Sequence, residues 1–210
     1  MISALLRSCQ KGVISYIMYQ ELEQADLLPL LCELLRFSDS VLDIGSGPGH
    51  LLEYYESRLI VALEIHRPYL EHRVNLSPHI IPINSDARKI GQLFVNKSFS
   101  TITMIDSLEH FTKKDGMKLL QQAEQIAKHR IIIFTPRGYF PQSGVDHYKL
   151  NGEAYQKHHS GWDEQELLAL GYHVIVLKGF HDLGNPSFET SFHNEHVAMD
   201  AILAWKTLDT

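Results

Sequence analysis

The spacing of hydrophobic positions changes along this 210-residue chain. Over residues 1–37 they recur at helical intervals: Ile14, Ile17, Met18 and Leu22, then Leu27, Leu30, Leu31, Leu34 and Leu35. This predicts N-terminal helices, with Asp26 capping the second and Pro29 tolerated in its first turn. From Val41 onward, short apolar runs alternate with amphipathic stretches. Strands are predicted at Val41–Gly45, Leu59–Glu64, His79–Asn84, Thr101–Asp106 and Arg130–Thr135. Helices are predicted over His50–Tyr55, near Pro68–Val74, near Arg88–Phe94 and from Lys113 to Lys128. Runs such as LIVAL and IIIF are continuous, as in parallel strands covered on both faces. The helix from Lys113 carries Leu119, Leu120, Ala123, Ile126 and Ala127 on one stripe, behind an N-cap at Thr112. Alternating units of this kind predict a doubly wound α/β sheet with helices on both faces. Such sheets bind ligands beyond the carboxyl ends of their strands.

Residues 136–162 lose this rhythm. The stretch is far longer than the usual connection of about 2–6 residues, which favours a binding loop or lid. A helix restarts at Asp163, where Asp163 and Glu166 form a capping-box pattern. Trp162 and Leu167 suit a hydrophobic staple, and Gly171 suits a C-terminal stop. Tyr172–Lys178 reads as a sixth strand. His196–Lys206 fits a last strand or a helix on pattern alone. No repeat or low-complexity segment interrupts the chain, so one domain over 1–210 is expected.

Composition narrows the class. Hydrophobic content of 44% and charged content of 21% are ordinary for a globular protein. A net charge of -6 argues against a nucleic-acid partner, which leaves a basic footprint. No apolar run reaches the roughly 18 residues a bilayer span needs. The opening MISALLRSCQKG lacks the apolar core and cleavage site of a signal peptide, so a cytoplasmic location is expected. Cys9 and Cys32 sit in apolar patterns and read as buried free thiols. Thirteen histidines raise the question of a metal. The closest groupings, His158-His159 and His193-x-x-His196, lack the Cys or HExxH context of a zinc site, so none is expected.

The chemistry lies at the strand ends. VLDIGSGPGH, Val41 to His50, is a strand ending in Asp43 and breaking into Gly45, Gly47 and Gly49. Glycine at those positions lets backbone fold tightly and approach a ligand. The helix predicted after it would aim free N–H groups at the loop. Glu64 ends the second strand of this series, placed to accept hydrogen bonds from ribose hydroxyls. Ser85-Asp86-Ala87 follows the third, where an acceptor suits the adenine amine. Asp106-Ser107-Leu108-Glu109-His110 follows the fourth.

This set resembles the class I S-adenosylmethionine-dependent methyltransferases, of the small bacterial methyltransferase-domain type. The resemblance is carried by Asp43, Gly45, Gly47 and Gly49, by Glu64, by Asp86, and by Asp106, Leu108, Glu109 and His110. It implies a Rossmann-like seven-stranded sheet, mostly parallel, with the last strand antiparallel. That tips His196–Lys206 towards strand. It also implies S-adenosyl-L-methionine as cofactor. Gly45, Ser46, Gly47 and Gly49 would form the donor loop, Gly45 and Gly47 lying against the methionine part. Asp43 would hold the loop and reach the donor amino group. Glu64 would grip the ribose, with Ile65 against the adenine. Asp86 would face the adenine amine, and Ala87 would offer an N–H. Met104 or Asp106 would pass under the methionine. A nicotinamide-binding G-x-G-x-x-G needs glycine at position 50, where His50 stands.

Methyl transfer requires in-line placement in a site that excludes water, and a base where the acceptor is a hydroxyl or protonated amine. His110, Glu109 and His158 are the candidate bases, followed by His159 and Tyr139. Each has a structural alternative: His110 in packing, Glu109 in a surface pair with Lys113 or Lys114, and HHSGW as the launch of a helix through Trp162. Arg137 would hold an anionic acceptor or face water. IDSL lacks the [D/N/S]-P-P-[Y/F] tetrad of base-modifying amino methyltransferases. With Tyr139, Phe140, Tyr148, Tyr155 and Trp162 nearby, a small-molecule acceptor is expected, methylated at O or N. The other readings are a non-catalytic donor-binding or scaffold protein and transfer of an aminopropyl group, for which no acidic amine-binding pair stands out.

Overall fold

The computed structural model describes residues 17–208, except residue 24, residue 143 and residues 183–197. The apolar runs form one sheet of eight strands. They are β1 (Tyr19–Glu23), β2 (Ser40–Ile44), β3 (Leu59–Glu64), β4 (Ile80–Asn84), β5 (Phe99–Ile105), β6 (Ala127–Pro136), β7 (His173–His181) and β8 (Met199–Thr207). Their order across the sheet is β1-β7-β8-β6-β5-β2-β3-β4. Every pairing is parallel except the two made by β8, which lies antiparallel between β6 and β7. The expected Rossmann-like sheet with an antiparallel last strand is therefore the fold. His196, with Cys9, Ile14 and His193, lies outside the described residues.

The helices are α1 (Leu27–Leu35), α2 (Arg67–Glu71), α3 (Ile90–Leu93), α4 (Lys113–Ile126) and α5 (Glu164–Ala169). They cover both faces because alternate strand residues point to opposite sides. Leu42, Ile44, Met104, Ile131 and Val174 bury against Ile90, Leu119, Ala123 and Leu167. Val41, Ile60, Ile132, Ile175 and Leu203 bury against Leu30, Leu31, Leu34 and Leu35. Thr112 caps α4 by accepting from Asp115 N, and Asp163 and Glu166 close the capping box of α5. Asp26 occupies the N-cap position of α1, but its side chain makes no capping bond.

Three expectations change. Residues 19–23 form an edge strand rather than helix, paired parallel with β7 from Tyr19–Val174 to Glu23–Lys178. This makes the sheet eight strands instead of seven. The α-helix expected over His50–Tyr55 is one 3₁₀ turn, Leu52–Tyr54, with Tyr55 already extended. Only residues 50–58 separate the glycine loop from β3, too few for a longer crossover helix. Cys32 is half-buried on α1, its thiol directed at the Tyr54 carbonyl, rather than fully buried. Among the described residues, no helix is long and apolar enough to cross a membrane.

Candidate active site

A cavity of about 420 Å³ opens at the carboxyl ends of β2, β3, β5 and β6. That is within the size range of small-molecule sites. One end is built by the glycine loop. Gly45, Gly47 and Gly49 all have positive φ, at 75°, 54° and 84°. A Cβ on Gly45 would lie 2.6 Å from Ser107 Cβ, so the loop can seat against the end of β5 only as glycine. Asp43, beneath the loop, accepts from Thr103 Oγ1 at 2.5 Å and from Tyr55 hydroxyl at 3.3 Å. Burial nonetheless pushes its pKa up to about 6. Glu64 is also buried, and burial raises it too. Its carboxylate accepts from Gly47 N at 3.0 Å and His66 N at 2.8 Å. Thus Glu64 braces the glycine loop from β3, and the second lone pair of each oxygen stays available to a ligand hydroxyl.

The other end is built by the turn after β5 and by the long segment after β6. Asp106 has φ 46°, an uncommon conformation for a residue with a side chain. It faces the cavity, where burial and the Glu109 carboxylate hold its pKa well above the ordinary value. Glu109 is 2% exposed and does not reach Lys113 or Lys114. Lys113 instead pairs with Glu166 at 2.8 Å and lies over Trp162. Glu109 Oε2 accepts from Thr135 Oγ1 at 3.0 Å, while Oε1 is buried with no hydrogen-bond partner. Burial holds this carboxyl above its ordinary value.

His158 Nδ1 donates to the Phe140 carbonyl at 2.9 Å, and His110 Nδ1 to the Lys157 carbonyl at 3.2 Å. A carbonyl only accepts, so the His158 ring keeps its proton on Nδ1 and its lone pair on Nε2, and His110 gives an N–H to Lys157. The two rings meet edge to face at 4.8 Å. Burial lowers both pKa values, that of His158 to about 4. One donor atom from each of Glu109, His110 and His158 lies within 4.8 Å of the others. The sequence offers these three as candidate bases but not as a cluster, because His158 comes 48 residues after His110, without any metal-motif spacing.

Asp43, Gly45, Ser46, Gly47, Glu64, Ile65, Asp106, Glu109, His110 and His158 thus line one cavity. Gly49 shapes the loop from behind. Met104 is fully buried in the core. Asp86 and Ala87 do not line the cavity: Asp86 caps the turn after β4 and pairs with Arg88 at 2.6 Å, and Ala87 packs in the core. Tyr139 and His159 lie outside it, and Trp162 is core. Arg137 is not free for an anion. It pairs with Glu164 at 2.6 Å and Asp200 at 2.8 Å.

Sequence reasoning missed what holds the long segment after β6. Asp146 accepts from the N–H groups of Tyr148, Leu150 and Gly152 at 2.9, 2.6 and 3.0 Å, and from the Tyr69 hydroxyl of α2 at 2.8 Å. His66 reaches the Leu150 carbonyl at 2.8 Å. Tyr148 is thereby set over the loop, stacked on His50 and within 3.9 Å of where a Gly47 Cβ would be.

Residues 41–130 match the family model for the methyltransferase domain. No curated protein matches in sequence. Among solved structures, a methyltransferase of Bacillus halodurans aligns with TM-score 0.61 at 13% identity, covering 89% of this chain and 100% of its own. A SAM-dependent methyltransferase of Archaeoglobus fulgidus aligns with TM-score 0.55 at 19% identity, covering 85% and 94%. The plantazolicin methyltransferase BamL, solved with a triazolic desmethyl-plantazolicin analogue and SAH, aligns with TM-score 0.57 at 15% identity, covering 100% and 90%. Residues 41–130 thus carry a methyltransferase domain, and its glycine loop and sheet order belong to the Rossmann-like methyltransferase fold.

Proposed function

We propose that the chain transfers the methyl group of S-adenosylmethionine to a small-molecule acceptor bound between the glycine loop and the Glu109–His110–His158 cluster. The observation that carries this reading is the single cavity joining the two. The donor's methionine part lies on Gly45, Ser46 and Gly47, with its ammonium towards Asp43 and Asp106. Its ribose lies on Glu64 and its adenine on Ile65. The sulfonium then faces the cluster, and the lid excludes water from the transfer. A small-molecule acceptor agrees with the complex of BamL with its desmethyl-plantazolicin analogue. Acceptor O–H or N–H groups donate to the free atoms of Glu109 and the two histidines.

Calorimetry tests the donor half. Wild-type protein binds S-adenosylmethionine and its demethylated product, and Glu64→Ala weakens both by roughly 10- to 100-fold, the cost of an unmet buried polar group. Wild-type protein that ignores both compounds would sink the assignment. Labelled methyl transfer across an acceptor panel separates the enzyme from a non-catalytic donor-binding protein.

A further inference from the structure

We propose that Glu109, His110 and His158 form a divalent transition-metal site that holds an oxygen-bearing acceptor. The proposal rests on reading this end of the cavity as the acceptor side. It revises the expectation that the histidines hold no metal.

The first support is the donor set. Two neutral imidazoles and one carboxylate, with donor atoms within 4.8 Å of one another, belong to residues that line one cavity. Ligands about 2.0–2.2 Å from a zinc-like ion stand about 3.5 Å apart, so side-chain rotations of about an ångström close the site. The second support is Glu109 Oε1, buried in the cavity wall with no hydrogen-bond partner. A buried carboxylate oxygen without a partner is costly unless something else meets it. The third is the outer layer. His158 and His110 each give Nδ1–H to a backbone carbonyl, and Glu109 Oε2 takes a hydrogen bond from Thr135. Metal-ligating side chains are oriented by partners of this kind. Charge points the same way. Asp106 and Glu109 lie close together, and neither pairs with a lysine or arginine among the described residues. Mixed nitrogen and oxygen ligands favour Zn²⁺, Co²⁺ or Mn²⁺ over the all-oxygen shells of Mg²⁺ and Ca²⁺.

Three protein ligands leave positions open towards the glycine loop. An acceptor hydroxyl oxygen bound there is acidified and releases its proton to solvent as it binds, before the transfer. Its lone pair forms the bond to the methyl carbon, the C–S bond breaks, and that electron pair returns to sulfur.

The test uses full-length protein without a histidine tag, stripped with chelator and titrated with Co²⁺ and Zn²⁺. Calorimetry gives affinity, and visible Co²⁺ spectra report imidazole ligation. Wild type takes up one ion per chain. His158→Ala and Glu109→Gln each weaken binding by roughly 100-fold or more. His79→Ala, outside the cavity, leaves it unchanged. Thermal unfolding and binding of the demethylated donor show that the variants remain folded. No uptake by wild type, or equal uptake by both ligand variants, overturns the site. Methyl transfer that persists after chelation leaves the proposed function standing and removes the metal from it. Metal binding without donor binding does the reverse.

Discussion

Asp43 shows how a single buried carboxyl trades stability for a site. The Tyr55 hydroxyl and the Glu64 carboxylate face it, and Thr103 donates to it. Burial outweighs these hydrogen bonds and lifts its pKa from 3.8 to about 6. The fold therefore holds a proton that the unfolded chain releases. Its stability is fully present below 3.8 and falls as pH climbs to about 6, by on the order of 3 kcal/mol. Tyr55 keeps its proton throughout, because burial and Asp43 raise it well above its usual value. Asp43→Asn keeps an acceptor oxygen for Thr103 and Tyr55 and removes the titration. Urea unfolding at pH 7.5 should show the variant more stable than wild type by up to about 3 kcal/mol, with the difference vanishing near pH 4. A difference that is the same at both pH values would remove the burial argument. On the proposed donor pose the same variant should bind donor more weakly at pH 7.5, since the ammonium would lose its counter-charge.

At the scale of elements, the long segment after β6 has a fixed shape. Burial works against the Asp146 charge, yet the N–H groups of Gly152, Leu150 and Tyr148 and the Tyr69 hydroxyl hold its pKa below the ordinary value. Gly152 packs so closely on Tyr69 that a Cβ would fall 2.0 Å from its hydroxyl oxygen. Asp146→Ala should free residues 146–152, lift Tyr148 off the glycine loop and cost about 2–3 kcal/mol. Hydrogen exchange is the direct readout: those amides exchange faster while the core of the sheet does not. Unchanged exchange would mean that the aromatic contacts of His66, Tyr69 and Tyr155 hold the segment alone. The sequence pattern showed that residues 136–162 were unusual but not why. A side chain that bonds backbone groups two, four and six residues away produces no periodicity. By contrast, the capping box of Asp163 and Glu166 was readable, because its logic lies within four residues.

At the scale of the molecule, the sheet was legible where strands are buried on both faces and illegible at its edge. FSTITMI is buried at every position and LIVALE at all but its first, with apolar residues on both faces, as β5 and β3 require. YQELE alternates exposed and half-buried positions, and its hydrophobes continue a helical interval, so nothing local marks it as β1. Its strand partner begins at His173, a contact that chain-local patterns cannot carry. Arg137 binds this corner together. From the end of β6 it reaches Glu164 on α5, Asp200 on β8 and, at 3.9 Å, Glu21 on β1. Lys178 on β7 shares Asp200 at 2.9 Å. The guanidinium is about one-third exposed, so water screens the network in part. Two bonds to Glu164 and one to Asp200 nonetheless use the planar fork that an ammonium lacks. Arg137→Ala should lower global stability by about 1–3 kcal/mol, read as a shift in the urea midpoint. Arg137→Lys should recover less than half of it, because one ammonium cannot span the two carboxylates. Donor affinity should stay at the wild-type value in both, as Arg137 faces the β1 corner and not the cavity. Loss of donor binding in a folded Arg137→Ala protein would instead connect this corner to the site.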